Sequence, residues 1–200
     1  MDSAGWDRRY GGRELVWTAE PNRFLADEAA DLAPGRALDL ACGEGRNAVW
    51  LAQQGWQVTG VDFSQVGLDK GARLAQARGV SVRWLAADLA DHVPAPGAFD
   101  LVAILYLHID AAAMLGVLGR AAAALAPGGT LLVVGHDPTN IGEGHGGPQD
   151  PAILMRPDEI VAALPDLLVE RAERVRRPVA TAAEDVLAID ALVRARRPGA

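Results

Sequence analysis

The chain has 200 residues, of which half are hydrophobic and 22% are charged, and its formal net charge is −7. This size and balance predict one domain with a substantial core, residues 1–200, and exclude disorder as the main state. The acidic balance, with no basic patch, argues against a nucleic-acid partner. The single cysteine excludes an internal disulfide. The sequence contains no apolar run of about 18 residues, the length that would predict a membrane span. We expect a soluble, cytoplasmic monomer or homodimer.

Residues 1–33 precede the first predicted strand and form a distinct N-terminal segment. They carry the aromatic residues Trp6, Tyr10 and Trp17, and a helix is predicted from Pro21 or Asn22 onward. Two interpretations of the aromatic residues stay open. They form a lid over a substrate, or they anchor the segment to the core.

Short apolar strands then alternate with longer helical patterns. Strands are predicted at 37–41, 57–62, 81–86, 99–105 and 130–135, and helices at 47–54, 64–77 and 110–126. Ser64 and Asp110 are suitable helix N-caps. This alternation predicts a parallel sheet covered by helices on both faces. Residues 167–175 and 186–194 predict two further strands joined by a turn, hence a terminal antiparallel pair.

A long loop rich in glycine and proline, residues 136–157, follows the fifth predicted strand. It ends at a helix that begins with Pro157. Ligands of open α/β sheets bind at the edge from which this loop leaves, so we predict an active-site loop. His136, Asp137, Asn140 and His145 lie in it. Their spacing matches no compact zinc pattern, so we expect no metal and assign His136 and His145 to the wall of a substrate pocket.

The most informative run is 37–47, where an apolar strand meets a glycine turn and then a helix. Gly43 and Gly45 allow the backbone to approach a ligand at the helix N-terminus. With Ala48, they also fit the dinucleotide fingerprint. A pyrophosphate is disfavoured by the carboxylates of Asp39 and Glu44, whereas a cationic ligand is favoured by them. The charges therefore favour a cationic ligand over a dinucleotide, and both interpretations of the glycine pattern stay open.

Four motifs in this order resemble those of the class I S-adenosylmethionine-dependent methyltransferases. They are 39–45 (DLACGEG), 58–64 (VTGVDFS), 85–89 (LAADL) and 99–102 (FDLV), followed by the typical 125–131 (LAPGGTL). The resemblance implies a Rossmann-like α/β sheet with parallel strands and a terminal antiparallel pair. The stretch 17–24 (WTAEPNRF) resembles the entry segment of small-molecule methyltransferases, including the tellurite-resistance and thiopurine types. Ala41 replaces a glycine of the family pattern, for which we expect little steric consequence.

The resemblance also implies a cofactor site for S-adenosylmethionine. Asp62 would accept hydrogen bonds from the ribose hydroxyls, and Asp88 would bind the adenine amino group. The full expected set is Asp39, Ala41, Gly43, Gly45, Arg46, Asn47, Asp62, Phe63, Ala87, Asp88, Leu89 and Tyr106.

The implied reaction is direct displacement of the methyl group by a small-molecule acceptor. His108 is the candidate base because its unperturbed pKa lies near neutrality. The alternative, that His108 orients the substrate or begins a helix, stays open. Trp6, Tyr10 and Trp17 would line the acceptor side with the loop histidines. Two other functions remain: a nicotinamide-dependent oxidoreductase, and a non-catalytic module that binds S-adenosylmethionine.

Overall fold

A computed structural model of the chain describes residues 3–12, 14–179 and 186–199. The strands are β1 (Arg36–Leu40), β2 (Gln57–Asp62), β3 (Arg83–Ala86), β4 (Phe99–Leu105), β5 (Leu125–His136), β6 (Leu168–Val179) and β7 (Val186–Arg196). The helices are α1 (Ser3–Tyr10), α2 (Arg23–Ala29), α3 (Arg46–Gln53), α4 (Gln65–Ala77), α5 (Ala111–Ala124), α6 (Asn140–Glu143) and α7 (Pro157–Ala162), with a 3-10 turn at Pro151–Ile153.

The strands form one seven-stranded sheet in the order β3-β2-β1-β4-β5-β7-β6. Strands β1 to β5 pair in parallel, and β7 pairs antiparallel with both β5 and β6. The strand order reverses between β1 and β4. The carboxyl ends of these two strands therefore open the crevice where α/β sheets bind ligands.

Alternating residues of the central strands build two hydrophobic layers. On β4, Val102 and Ile104 pack in the layer that includes α5 and α7, while Leu101 and Ala103 pack in the layer that includes α2 and α3. Both faces of the sheet are therefore covered, as the continuous apolar runs of the strands predict. Among the described helices, none is both long and apolar enough to cross a membrane.

Most predicted elements are confirmed, and the differences are local. β2 and β4 have their predicted bounds, and Ser64 and Asp110 cap α4 and α5 by accepting bonds from Gly67 N and Ala113 N. β3 is two residues shorter at its start than predicted. Helix α1 was not predicted, and the turn predicted between β6 and β7 lies outside the described residues.

The end of α5 differs from the prediction for a clear reason. We expected the helix to continue to residue 126, but it ends at Ala124 and β5 already begins at Leu125. Residues 125–129 stay extended because Phe99 pairs with Leu125 and the backbones of Gly128 and Gly129 bond to Arg197. Tertiary pairing thus overrides the helical preference of the alanine-rich sequence.

Three glycines make room for the indole ring of Trp84, which projects from β3. A Cβ atom at Gly45, Gly60 or Gly71 would lie 2.4, 2.9 or 2.8 Å from the ring. The glycine turn, β2 and α4 are therefore fitted around one aromatic side chain. Gly45 is required by this packing and not only by a ligand.

We predict that Gly71→Ala lowers the free energy of unfolding by about 1–3 kcal/mol, because the added methyl group forces Trp84 or α4 to move. Gly119→Ala is the matched control, since Gly119 also lies within a helix but has nothing within 4 Å of its Cβ position. There, alanine stabilises the helix by up to about 1 kcal/mol. Urea unfolding of both variants checks this, and equal effects would contradict the packing account.

Candidate active site

The glycine turn joins β1 to α3 at the mouth of the crevice. Gly43 and Gly45 have φ angles of +55° and +77°, and Gly45 is the N-cap of α3 without a side-chain bond. Ala41 also has a positive φ, +59°. The expectation that Ala41 replaces glycine with little steric consequence is therefore wrong, because this conformation costs an alanine about 1–2 kcal/mol.

Asp39 is a buried acid at the carboxyl end of β1, only 1% exposed. The backbone of Ala48 donates a hydrogen bond to it, but its Oδ2 has no hydrogen-bond partner among the described residues. Burial and, next, the carboxylate of Asp62 raise the pKa of Asp39 to about 7. A positive group bound here would supply the missing partner and favour the ionised form.

Asp62 occupies the same place on the neighbouring strand, β2. Its Oδ2 accepts a bond from Gly43 N at 2.8 Å, and its Oδ1 accepts one from Ser64 N at 2.9 Å. Burial raises the pKa of Asp62, and the backbone bonds oppose this. Each oxygen keeps a second lone pair, so the carboxylate can still accept bonds from two hydroxyl groups.

The third predicted acid, Asp88, follows β3 and is exposed. Its Oδ1 accepts a bond from Ala90 N at 2.8 Å. Ala87, just before it, donates its backbone N–H to Asp62 O at 3.0 Å, so the loops after β2 and β3 are bonded together. Asp39, Asp62 and Asp88 therefore line adjacent strand ends, as the motif order predicts. Phe63 is half-buried between these loops and Leu89 is buried.

Arg46 and Asn47 begin α3 and have different surroundings. The Arg46 guanidinium lies near Tyr106 and Asp39, and burial lowers its pKa. Within the described part of the chain it donates a single hydrogen bond, to Thr18 Oγ1 at 3.4 Å. It is available for an anionic group. Asn47 is buried and its side-chain oxygen accepts a bond from Asn22 N at 2.8 Å. That contact holds the start of α2, so Asn47 has a structural role.

The surroundings of Glu44 contradict the expectation that its carboxylate attracts a cationic ligand. Its carboxylate is 2.8 Å from Nζ of Lys70, and both side chains are buried. It also accepts bonds from the backbone of Val16 and Trp17. The charge of Glu44 is therefore already neutralised, and it fastens the N-terminal segment instead of attracting a ligand.

The N-terminal segment covers the glycine turn. Tyr10 is 4% exposed, and a Cβ at Gly43 would lie 2.9 Å from its hydroxyl oxygen. Trp6 stacks on Tyr10 with ring centroids 5.2 Å apart, and Arg9 lies over both Trp6 and the more exposed Trp17. Tyr10 thus covers Gly43, whose N–H donates to Asp62, as a lid over that acid would. It also anchors the N-terminal segment to the glycine turn.

A polar cluster lies at the ends of β4 and β5. The Tyr106 hydroxyl donates to Asp190 Oδ2 at 2.8 Å, and Arg177 Nε donates to the same oxygen at 2.9 Å. His136 Nδ1 is 3.0 Å from the other oxygen, Asp190 Oδ1. His108 stacks on His136 with centroids 5.4 Å apart. Tyr106 holds this place with a strained φ of +58°.

The environment of His108 contradicts the reason for choosing it as a base. Burial, and then the neighbouring His136, lower its pKa to about 4. It is therefore neutral at pH 7, but it attracts a proton weakly. The sequence also gave no role to Asp190 or Arg177. A lone acid within the apolar run of β7 is the signal that could have identified Asp190, since unpaired buried acids are rare.

A small cleft of about 20 Å³, lined mostly by apolar side chains, adjoins the two histidines. Ile104, Leu107 and Met114 line it from one side, and residues 153–155 of the long loop line it from the other. His145 is exposed on that loop. Within the described ranges, no group of three or more His, Cys, Asp or Glu side chains could hold a metal ion.

Comparison with known proteins agrees with this geometry. Residues 37–129 match the methyltransferase-domain family. Demethylmenaquinone methyltransferase of Thermus thermophilus is 41% identical over 130 residues, which cover 64% of this chain and 57% of that protein. The chain thus spans little more than half the length of that relative. Two further relatives are named as ribosomal RNA methyltransferases, and the match covers 21% of the length of each.

Two solved structures share the fold. N-methyltransferase NodS from Bradyrhizobium japonicum, in complex with S-adenosyl-L-homocysteine, has a TM-score of 0.72 and 19% identity, covering 98% of each chain. TehB from Haemophilus influenzae has a TM-score of 0.74 and 16% identity, covering 96% of this chain and 65% of its own. The Rossmann-like fold is therefore confirmed.

We predict that the stability of the ligand-free protein falls between about pH 4 and pH 7 because of Asp39. The unfolded chain releases this proton near pH 4 (about 3.9), whereas the folded protein holds it until about pH 7. The folded state then binds more protons, so raising the pH favours unfolding. Asp39→Asn removes this contribution. The free energy of unfolding of the variant, measured with urea, should rise relative to wild type across this window and level off above it; parallel profiles would contradict the prediction.

Proposed function

We propose, from the premise that residues 37–129 belong to the class I methyltransferase-domain family, that this chain transfers a methyl group from S-adenosylmethionine to a small molecule. The observation that carries the proposal is the buried Asp39 carboxylate at the switch point of the sheet, whose Oδ2 has no hydrogen-bond partner in the described part of the chain. A ligand with an ammonium and a sulfonium group suits this site. The pyrophosphate of a nicotinamide cofactor would instead meet an uncompensated acid.

Each part of S-adenosylmethionine has candidate partners in the crevice. Asp39 would hold the ammonium group, Arg46 the carboxylate, and Asp62 the ribose hydroxyls. Ala87, Asp88 and Leu89 would contact the adenine, with Phe63 beside it. When bound, this cofactor supplies a methyl group that its sulfonium already activates. The protein's own contribution is then to orient the two reactants and exclude water.

The acceptor side favours a small molecule over RNA. The cleft beside His108 and His136 is lined mainly by apolar side chains, and the formal net charge of the chain is −7. An RNA acceptor would require a basic surface to neutralise phosphates. The N-terminal segment, with Trp6, Tyr10 and Trp17, would close the cofactor crevice from the opposite side. Activity towards the acceptor, rather than cofactor binding alone, separates an enzyme from a non-catalytic module.

We predict that S-adenosylmethionine and S-adenosylhomocysteine both bind in calorimetric titrations and that NAD does not. Asp62→Asn should weaken binding by about 1–3 kcal/mol, the scale of a lost hydrogen bond to a charged group. Asp27→Asn is the control because Asp27 is exposed on α2 and the substitution removes the same charge.

The two variants must show the same circular dichroism as wild type for the comparison to count. Heat released by NAD, or by neither adenosyl compound, would contradict the proposal. A screen of phenols, thiols, amines and halides with isotopically labelled S-adenosylmethionine, followed by mass spectrometry, then identifies the acceptor. Cofactor binding with no labelled product from any class would favour the non-catalytic module.

A further inference from the structure

Asp190 is fully buried on β7 and uses its two oxygens differently. Oδ2 accepts bonds from Tyr106 and Arg177, at 2.8 and 2.9 Å. Oδ1 lies 3.0 Å from Nδ1 of His136, within ion-pair distance, and neither atom makes a hydrogen bond of good geometry with any described residue. Burial alone would raise the pKa of Asp190, but its bonds to His136, Arg177 and Tyr106 lower it overall. The acid is therefore ionised and faces His136.

The short distance between these two atoms favours one state of the His136 ring. A carboxylate only accepts hydrogen bonds, so the neutral imidazole carries its proton on Nδ1 and leaves the lone pair on Nε2. We infer that His136 is the general base for the acceptor and that Asp190 is its positioning residue. This inference rests on the proposed function and adds to it a residue and an acceptor class.

His108, the base expected from the sequence, fits this role less well. Its Nε2 lies 3.5 Å from the backbone nitrogen of His136, from which it accepts a bond, and among the described residues no carboxylate forms an ion pair with its ring. Its lowered pKa, about 4, makes it the weaker base. The His108 ring lies nearly parallel to that of His136, with 13° between the planes, and so helps to fix the orientation of that ring.

The cleft next to this base defines the acceptor class. Its walls are largely aliphatic, with Ile104, Leu107, Met114 and Leu154 among them, and the two histidines provide its polar groups. A molecule that suits both parts has an apolar or aromatic body and one hydroxyl group that must lose a proton. A phenol meets these requirements, because removing its proton produces a strong oxygen nucleophile.

In the proposed step, the hydroxyl proton of the phenol passes to Nε2 of His136, and the phenol oxygen forms a bond to the methyl carbon. The carbon–sulfur bond breaks and its electron pair remains on sulfur, which becomes neutral. Asp190 stabilises the resulting imidazolium through Nδ1–H, and the proton then leaves to water.

The long loop covers the edge of the His136 ring that carries Nε2. A Cβ at Gly147 would lie 2.6 Å from Cδ2 and 2.7 Å from Nε2, so this position fits only glycine. Asn140 holds the loop in place, with Nδ2 donating to Gly146 O and Oδ1 accepting from Ile189 N. An acceptor that reaches Nε2 must displace the segment around Gly147, which gives the loop a role in closing the site.

The ring state can be tested without any cofactor. In ¹⁵N NMR spectra of the full chain with labelled histidine, the neutral form of His136 should carry its proton on Nδ1. Asp190→Asn should change this tautomer preference. Asp158→Asn is the control, because Asp158 is exposed on α7 and carries the same charge. A wild-type proton on Nε2, or an unchanged His136 in Asp190→Asn, would overturn the inference.

The acceptor class can be tested with 4-nitrophenol, whose absorbance distinguishes phenol from phenolate. Below the pKa of the free phenol, wild type should increase the phenolate fraction. His136→Gln should not, whereas the exposed control Asp158→Asn should retain the effect. For any phenol that is methylated, His136→Gln should lower kcat by about 10²- to 10⁴-fold, with S-adenosylmethionine binding unchanged. No phenolate with wild type, or an equal amount with His136→Gln, would overturn the inference, and the calorimetric test of the proposed function would still stand.

Discussion

The buried carboxylate of Asp39 is the constraint around which the site is built. Strand β1 places it at the switch point, 1% exposed and beside a second buried acid, Asp62. Two acids that share a dry environment cannot both ionise cheaply, which is why the pKa of Asp39 rises to about 7. Asp62 is stabilised by two backbone amides, whereas one oxygen of Asp39 has no hydrogen-bond partner among the residues that the structure describes. A cationic ligand would complete this arrangement.

The same turn also joins the N-terminal segment to the sheet. Glu44, between the two glycines, pairs with Lys70 and accepts bonds from the backbone of Val16 and Trp17. Tyr10 then lies against Gly43. The cofactor crevice and the segment that covers it therefore share one short loop. A ligand that moves this loop would also affect the position of the segment.

The sequence predicted the fold and the cofactor side well because both depend on local patterns. Alternating apolar strands, the caps Ser64 and Asp110, and the ordered acids Asp39, Asp62 and Asp88 are all visible in the chain itself. The acceptor side was less predictable because it depends on contacts between distant residues. Asp190 and His136 meet only when β7 pairs with β5, and burial changes the pKa of His108 in a way that no motif shows. Glu44 was misjudged for the same reason, since its partner Lys70 lies 26 residues further along the chain, on α4.

The most direct test of this account is the pKa of Asp39 itself, measured by ¹³C NMR of its labelled carboxyl group with and without S-adenosylmethionine. The account predicts a value near 7 in the free protein and a clear fall once the cationic ligand is bound. An ordinary carboxyl pKa in the free protein, or a raised value that the ligand leaves unchanged, would contradict the claim that this buried acid is the site of the cation.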